Sequence, residues 1–104
     1  MTGQEISLTF FNGGFTISGK KGEISHSWNE ITDIVTYKID MLTTDEICLD
    51  ISFSESIFTL TESHPSWEEF ITIMQNELPS IDPGWWGKVV HPPFAINEST
   101  IYQK

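Results

Sequence analysis

A strict alternation of apolar and polar residues over positions 46–53 constrains the fold of this chain more than any other feature. In the stretch EICLDISF, Ile47, Leu49, Ile51 and Phe53 share one parity, and more polar residues lie between them. Successive side chains of a β-strand point to opposite faces, so this pattern predicts a strand with one face in a hydrophobic core. The fold is therefore expected to contain a sheet.

Other short segments of this kind are separated by turn residues through the first half of the chain. The sequence NGG at 12–14 and the sequence GKKG at 19–22 supply residues that favour tight turns. Connections this short join antiparallel neighbours, because parallel strands need long crossovers. The predicted strands cover 5–11, 15–18, 23–27, the later part of 28–40, 45–53, 57–62 and a short segment near 100–102.

One helix is predicted between Pro65 and Pro79. Its apolar residues recur at helical spacing, and Ser66 with Glu69 matches a capping box. The Gly- and Pro-rich segment after it predicts a loop that wraps over the sheet. We therefore predict an α+β fold with one domain over residues 1–104. It is a curved antiparallel sheet of about six or seven strands, a meander that could form a pleckstrin-homology-like half barrel, packed against one α-helix.

The net charge is −10, from 15 acidic residues and five lysines. Between Lys38 and Lys88 there are ten carboxylates and no further Lys or Arg. Nucleic acid and anionic membranes are therefore excluded as partners, since both attract Lys and Arg patches. The acidity either serves solubility alone or favours a basic partner.

The residues needed for common chemistries are missing or scattered. Cys48 is the single cysteine and fits a half-buried structural thiol, and the three histidines lie in separate segments. No phosphate-binding loop is present, and the carboxylates fall on predicted turns and exposed faces. We expect no enzyme activity, catalytic residue, metal, cofactor or small-molecule substrate. Since the N-terminus does not read as a secretory signal, a cytoplasmic protein is expected.

The adjacent residues Trp85 and Trp86 lie in the predicted loop. If the backbone is extended there, they point to opposite sides, so one of them is exposed. An exposed tryptophan beside an acidic surface suits a protein interface. Alternatively, both cover the open end of the sheet.

Three segments together resemble small bacterial immunity proteins of polymorphic toxin and contact-dependent growth inhibition systems. They are WNEITDIVTYKIDMLTTDEICLDISF, PSWEEFITIMQNELP and WWGKVVHPPFAINESTIY, and the resemblance covers residues 28–102. The matching positions are Tyr37, Lys38, Asp40, Thr43, Asp45, Trp67, Trp86, Phe94 and Tyr102.

The resemblance implies an antitoxin that forms a heterodimer with one cognate basic toxin domain, a ribonuclease or other nuclease, and covers its active site. In the segment YKIDMLTTDEICLDI, we expect Tyr37, Ile39 and the apolar residues of 47–51 to face the core. The expected contacts with the toxin are Asp40, Asp45, Glu46 and Asp50 as phosphate mimics, with Trp85 or Trp86 as an apolar anchor. The alternative is a pleckstrin-homology-like module that binds a protein or peptide in bacterial regulation.

Overall fold

The computed structural model describes residues 6–40, 44–91 and 96–104, and for Asp40 it describes the backbone alone. Two positions of the resemblance, Thr43 and Phe94, lie outside the described residues. The strands are β1 (Ser7–Phe11), β2 (Gly14–Gly19), β3 (Gly22–Ser27), β4 (Asp33–Asp40), β5 (Asp45–Ser52), β6 (Ile57–Thr61) and β7 (Ser99–Gln103). The helices are α1 (Trp67–Glu77) and α2 (Trp85–Val90), and Trp28–Glu30 forms a 3-10 turn. The predicted α+β class is confirmed.

The first three strands form an antiparallel sheet in the order β1-β2-β3. Gly13, in the turn between β1 and β2, has a φ of 93°, which side chains rarely tolerate. At Gly14 a Cβ atom would clash with the carbonyl oxygen of His26, so only glycine lets β2 approach β3 this closely. The NGG sequence therefore fixes both the hairpin and the strand contact.

The other four strands form a separate antiparallel sheet in the order β6-β5-β4-β7. The prediction of a single curved sheet of six or seven strands was therefore wrong. The chain leaves β3 through the 3-10 turn Trp28–Glu30. The edge of β4 that a meander would give to β3 is instead paired with β7, the last strand in the chain.

The apolar face of β5 is confirmed, but the predicted face of β4 was wrong. Lys38 pairs with Ile47 and Tyr37 with Cys48, so Lys38 shares the inner face of the sheet with Ile47. Ile34 and Thr36 lie on this face, and both are almost fully buried. Tyr37 and Ile39 belong to the opposite, outer face, where Ile39 is 41% exposed.

An aromatic cluster joins the two sheets to α1. Phe15 of β2 is fully buried, with its ring centroid 4.9 Å from that of Trp28 and 5.5 Å from that of Phe70. Trp28 and Phe70 are themselves 5.1 Å apart. Because buried aromatic side chains contribute more apolar area than any others, this cluster anchors the core.

Helix α1 is confirmed, although its predicted capping box does not form. The side chain of Ser66 makes no capping hydrogen bond. Instead, Nδ1 of His64 accepts a hydrogen bond from the backbone N–H of Ser66, at 2.9 Å. The other ring nitrogen, Nε2, donates to the carbonyl oxygen of Ile6, at 3.0 Å. His64 thus connects the start of α1 to the chain before β1.

Candidate functional site

Strand β5 divides the predicted acidic contacts between its two faces. Asp45 lies on the inner face with Ile47, whereas Glu46 and Asp50 lie on the outer face. Asp40 is paired with Asp45 along the backbone, and its side chain lies outside the described residues. The three described carboxylates, Asp45, Glu46 and Asp50, therefore do not form one continuous edge.

Asp45 is part of a buried ion pair. Its Oδ2 atom lies 3.3 Å from Nζ of Lys38, whose side chain is 3% exposed. The same Nζ donates a hydrogen bond of 2.8 Å to the carbonyl oxygen of Val90, the last residue of α2. A buried ammonium is costly without such partners. Asp45 therefore stabilises the fold, whereas the sequence predicted only a contact with the toxin.

Glu46 and Glu62 connect β5 to the chain that follows β6. Oε2 of Glu46 accepts hydrogen bonds from the backbone N–H and the hydroxyl of Ser63. Oε1 of Glu62 accepts a hydrogen bond of 2.8 Å from the backbone N–H of Ile47. Both carboxylates therefore stabilise the same end of the sheet while contributing negative charge there.

Asp50 lies at the centre of the outer face. Its Oδ1 atom accepts hydrogen bonds from the hydroxyls of Tyr37, at 3.1 Å, and Thr59, at 2.7 Å. Burial, followed by the negative charge of Asp50, raises the pKa of Tyr37 to about 12. Burial, with smaller contributions from Glu46 and Asp50, raises the pKa of Cys48 to about 11. The expected structural thiol of Cys48 is fully buried, more than the half-burial predicted.

Trp85 and Trp86 lie on a helix and not in the predicted loop. Successive helical residues are about 100° apart around the axis, which separates the two side chains. Trp85 is 3% exposed and donates a hydrogen bond from Nε1 to Oε1 of Gln75. Trp86 is 40% exposed, as expected for one of the pair. Trp85 is therefore a core residue, and Trp86 remains a candidate contact.

Two hollows share Trp86 and Glu62 among their lining residues, and we call them together the Trp86 groove. The first, the Lys38 hollow, has a volume of about 440 Å³ and lies between the start of β5 and α2. It is lined by Lys38, Asp45, Ile47, Glu62, Trp86, Val90 and His91. The second, the α1 hollow, has a volume of about 630 Å³. It is lined by Glu62, His64, Pro65, Trp67, Glu68, Ile71, Thr72 and Trp86.

The groove unites some of the predicted contacts and adds others. Asp45 and Trp86 line the same hollow, whereas Glu46 and Asp50 lie on the outer face of the sheet. Sequence reasoning missed Glu62 and Glu68 as groove residues. Their only signal was their position, one directly after β6 and the other in the first turn of α1.

Within the described parts of the chain, no three His, Cys, Asp or Glu residues are grouped so that they could hold a metal ion. Among the helices of the described residues, none is long and apolar enough to cross a membrane. The chain matches no protein-family model, no curated protein and no solved structure.

Proposed function

We propose that this chain is a cytoplasmic immunity protein, a non-enzymatic inhibitor that forms a heterodimer with a basic toxin domain and covers its active site. The toxin would be a nuclease, because nucleases need a cationic surface to hold phosphates. The Trp86 groove would lie at the centre of the interface.

The arrangement of charge is the observation that carries this proposal. Lys38 is buried in its ion pair with Asp45, and Nζ of Lys88 lies 3.1 Å from a carboxylate oxygen of Asp82. Glu62 and Glu68 meanwhile line the groove beside the exposed ring of Trp86. The acidic surface is thus combined with an aromatic side chain that a partner could cover.

This combination is suited to capturing a basic protein. The net charge of −10 would steer a cationic partner toward the chain and increase the association rate. Tryptophan is enriched among the few interface residues that contribute most of the binding free energy. Charge would therefore determine how fast the complex forms, and Trp86 would slow its dissociation.

Co-expression with the product of the neighbouring upstream reading frame tests the proposal. We expect a basic protein to co-purify in a stable complex, and its nuclease activity to fall as the inhibitor approaches an equimolar amount. The association rate should decrease steeply as salt is added. A neighbour that neither binds the chain nor damages cells would overturn the proposal.

A charge reversal locates the interface. Glu68→Lys should slow association and weaken its salt dependence, since Glu68 is an exposed residue of the groove. Glu23→Lys is the matched control, because Glu23 is also exposed but lies on β3 of the other sheet. Equal effects of the two changes would argue for steering by net charge alone, with the interface elsewhere.

The alternative function, a pleckstrin-homology-like binding module, was motivated by one sheet of six strands capped by a helix. The strands instead form sheets of three and four strands. This division bears on the single-sheet fold that motivated the alternative and not on its binding function, which stays a prediction.

A further inference from the structure

The two hollows of the Trp86 groove differ in charge. The α1 hollow is lined by the carboxylates of Glu62 and Glu68, and no lysine is among its described lining residues. The Lys38 hollow contains the ammonium of Lys38 beside Asp45. A cation from a partner is therefore attracted more strongly to the α1 hollow.

The histidine in the α1 hollow, His64, has both ring nitrogens hydrogen-bonded to backbone groups. Nδ1 of His64 accepts a hydrogen bond from the backbone N–H of Ser66, so this nitrogen carries no proton. The other ring nitrogen, Nε2, donates to the carbonyl oxygen of Ile6. Neither bond involves the carboxylates of Glu62 and Glu68, which supply the negative charge of the α1 hollow.

Two tryptophan rings line the α1 hollow, together with the apolar side chains of Pro65 and Ile71. The ring centroids of Trp67 and Trp86 are 6.3 Å apart, with planes inclined by 56°. Trp67 is buried, whereas Trp86 is 40% exposed and so offers part of its ring to a ligand. An indole face is the best of the aromatic surfaces for a cation.

From this combination we propose that the α1 hollow binds an arginine side chain of the partner, with the guanidinium stacked on Trp86 and hydrogen-bonded to the carboxylates of Glu62 and Glu68. This inference rests on the proposed function, since it assigns a contact within the same interface. It names the side chain that the basic partner must present.

Arginine fits this hollow better than lysine does. Its guanidinium is planar, stacks on aromatic rings and offers five N–H donors, so one side chain can reach two carboxylates. Oε1 of Glu62 already accepts a hydrogen bond from the backbone N–H of Ile47. The other carboxylate oxygen of Glu62, Oε2, accepts no hydrogen bond from the described residues. A guanidinium donor could therefore bind Glu62 without breaking its contact to β5.

Three capped peptides test the inference without any toxin. They are Gly-Ser-Arg-Ser-Gly and two analogues in which the arginine is replaced by citrulline, a neutral isostere, or by lysine. Binding is followed through the indole N–H signals in NMR spectra, with Trp86 assigned by Trp86→Phe. We expect the arginine peptide to shift the Trp86 signal saturably, the lysine peptide to bind more weakly, and the citrulline peptide to cause no shift.

Matched variants connect the signal to the hollow. Trp86→Ala should weaken binding of the arginine peptide about tenfold, the upper part of the range for a cation on an indole ring. Glu68→Gln should weaken it about threefold, as expected for an exposed ion pair. Glu69→Gln is the control, because the next residue of α1 is equally charged and exposed but does not line the hollow.

Equal binding of the arginine and citrulline peptides, or equal binding of the arginine and lysine peptides, would overturn the inference. So would equal effects of Glu68→Gln and Glu69→Gln. These outcomes leave the co-purification experiment unaffected, so a failed arginine site is distinguished from a failed immunity function. If the arginine peptide bound as expected but no toxin co-purified with the chain, the proposed function would be overturned instead.

Discussion

Nζ of Lys38 lies 3.3 Å from Oδ2 of Asp45, and the Lys38 side chain is almost fully buried. The pair connects the end of β4 to the start of β5, and through the carbonyl oxygen of Val90 it also contacts the end of α2. A cation at the C-terminal end of a helix interacts favourably with the exposed carbonyl groups there. The ion pair therefore helps to position the helix that carries Trp86.

Asp45→Asn should destabilise the fold, because it replaces the carboxylate that lies 3.3 Å from the buried ammonium of Lys38 with a neutral amide. We expect the free energy of unfolding to fall by about 3 kcal/mol, the lower end of the range for breaking a buried pair. Urea denaturation at neutral pH measures the change. The double variant Lys38→Met with Asp45→Leu should recover much of the loss, since it removes both charges together.

A loss below about 1 kcal/mol for Asp45→Asn would place the pair in the class of exposed ion pairs and contradict this assignment. Charge reversal at Asp45 is a poor probe of partner binding, because Asp45 belongs to the buried ion pair. Such a variant would lose affinity through unfolding, whereas Glu68→Lys changes an exposed side chain.

Because Ile47 and Ile39 lie on opposite faces of the four-stranded sheet, replacing each with alanine should cost different amounts of folding free energy. Ile47→Ala should reduce the free energy of unfolding by about 2–5 kcal/mol, the usual range for a buried isoleucine, because Ile47 is 3% exposed. Ile39→Ala should cost less than about 1 kcal/mol, since Ile39 lies on the outer face. Thermal and urea unfolding of both variants compare them directly. Equal losses would mean that Ile39 is also part of the core.

The residues on the outer face of β4 explain why the sequence did not predict which side of this strand faces the core. Val35, Tyr37 and Ile39 form the more apolar set, so sequence reasoning placed them in the core. The inner set instead contains Thr36, which donates to the carbonyl oxygen of Cys48, and Lys38, which is neutralised by Asp45. Each polar group is buried with a partner that lies elsewhere in the chain, and single-residue hydrophobicity does not contain that information.

Local patterns did predict the seven strands and α1, because turn residues and periodicity are local signals. The division into two sheets depends on β7 pairing with β4 across more than fifty residues, which no local pattern determines. Helix α2 was missed because six residues including Gly87 have little intrinsic tendency to form a helix. Packing of Trp85 and Val89 into the core stabilises it.

Alkaline pH should destabilise the chain through Cys48 and Tyr37. Their pKa values rise from 9.0 and 10.0 to about 11 and about 12, so the folded chain holds both protons more tightly than the unfolded chain does. Their stabilising contribution is complete below pH 9 and is lost as the pH rises through about 11 for Cys48 and about 12 for Tyr37.

The measurement is the urea midpoint between neutral pH and pH 11 for the wild type and for Cys48→Ala. Cys48→Ala lowers stability at neutral pH because it removes a buried side chain, but its midpoint should fall less steeply above pH 9. A variant curve parallel to that of the wild type would show that the Cys48 proton does not contribute.

Alanine substitutions at Trp85 and Trp86 should affect different properties, with Trp85→Ala mainly lowering stability and Trp86→Ala mainly weakening partner binding. Trp85→Ala should cost about 3–5 kcal/mol of folding free energy, because it removes a buried ring and its hydrogen bond to Gln75. Trp86→Ala should cost about 1 kcal/mol, since much of its ring is already exposed.

For binding to a basic toxin, Trp86→Ala should have the larger effect and Trp85→Ala the smaller one. Trp86→Ala should weaken binding by about 2 kcal/mol or more, the size expected of an interface hot spot, and mainly through faster dissociation. Chemical denaturation and surface-immobilised binding kinetics measure the two effects on the same protein samples. Trp86→Phe should retain more affinity than Trp86→Ala, because it keeps an aromatic face beside Glu62 and Glu68. If Trp86→Ala bound the toxin as tightly as the wild type, the interface would have to lie away from the groove, with the outer face around Asp50 as the next surface to test.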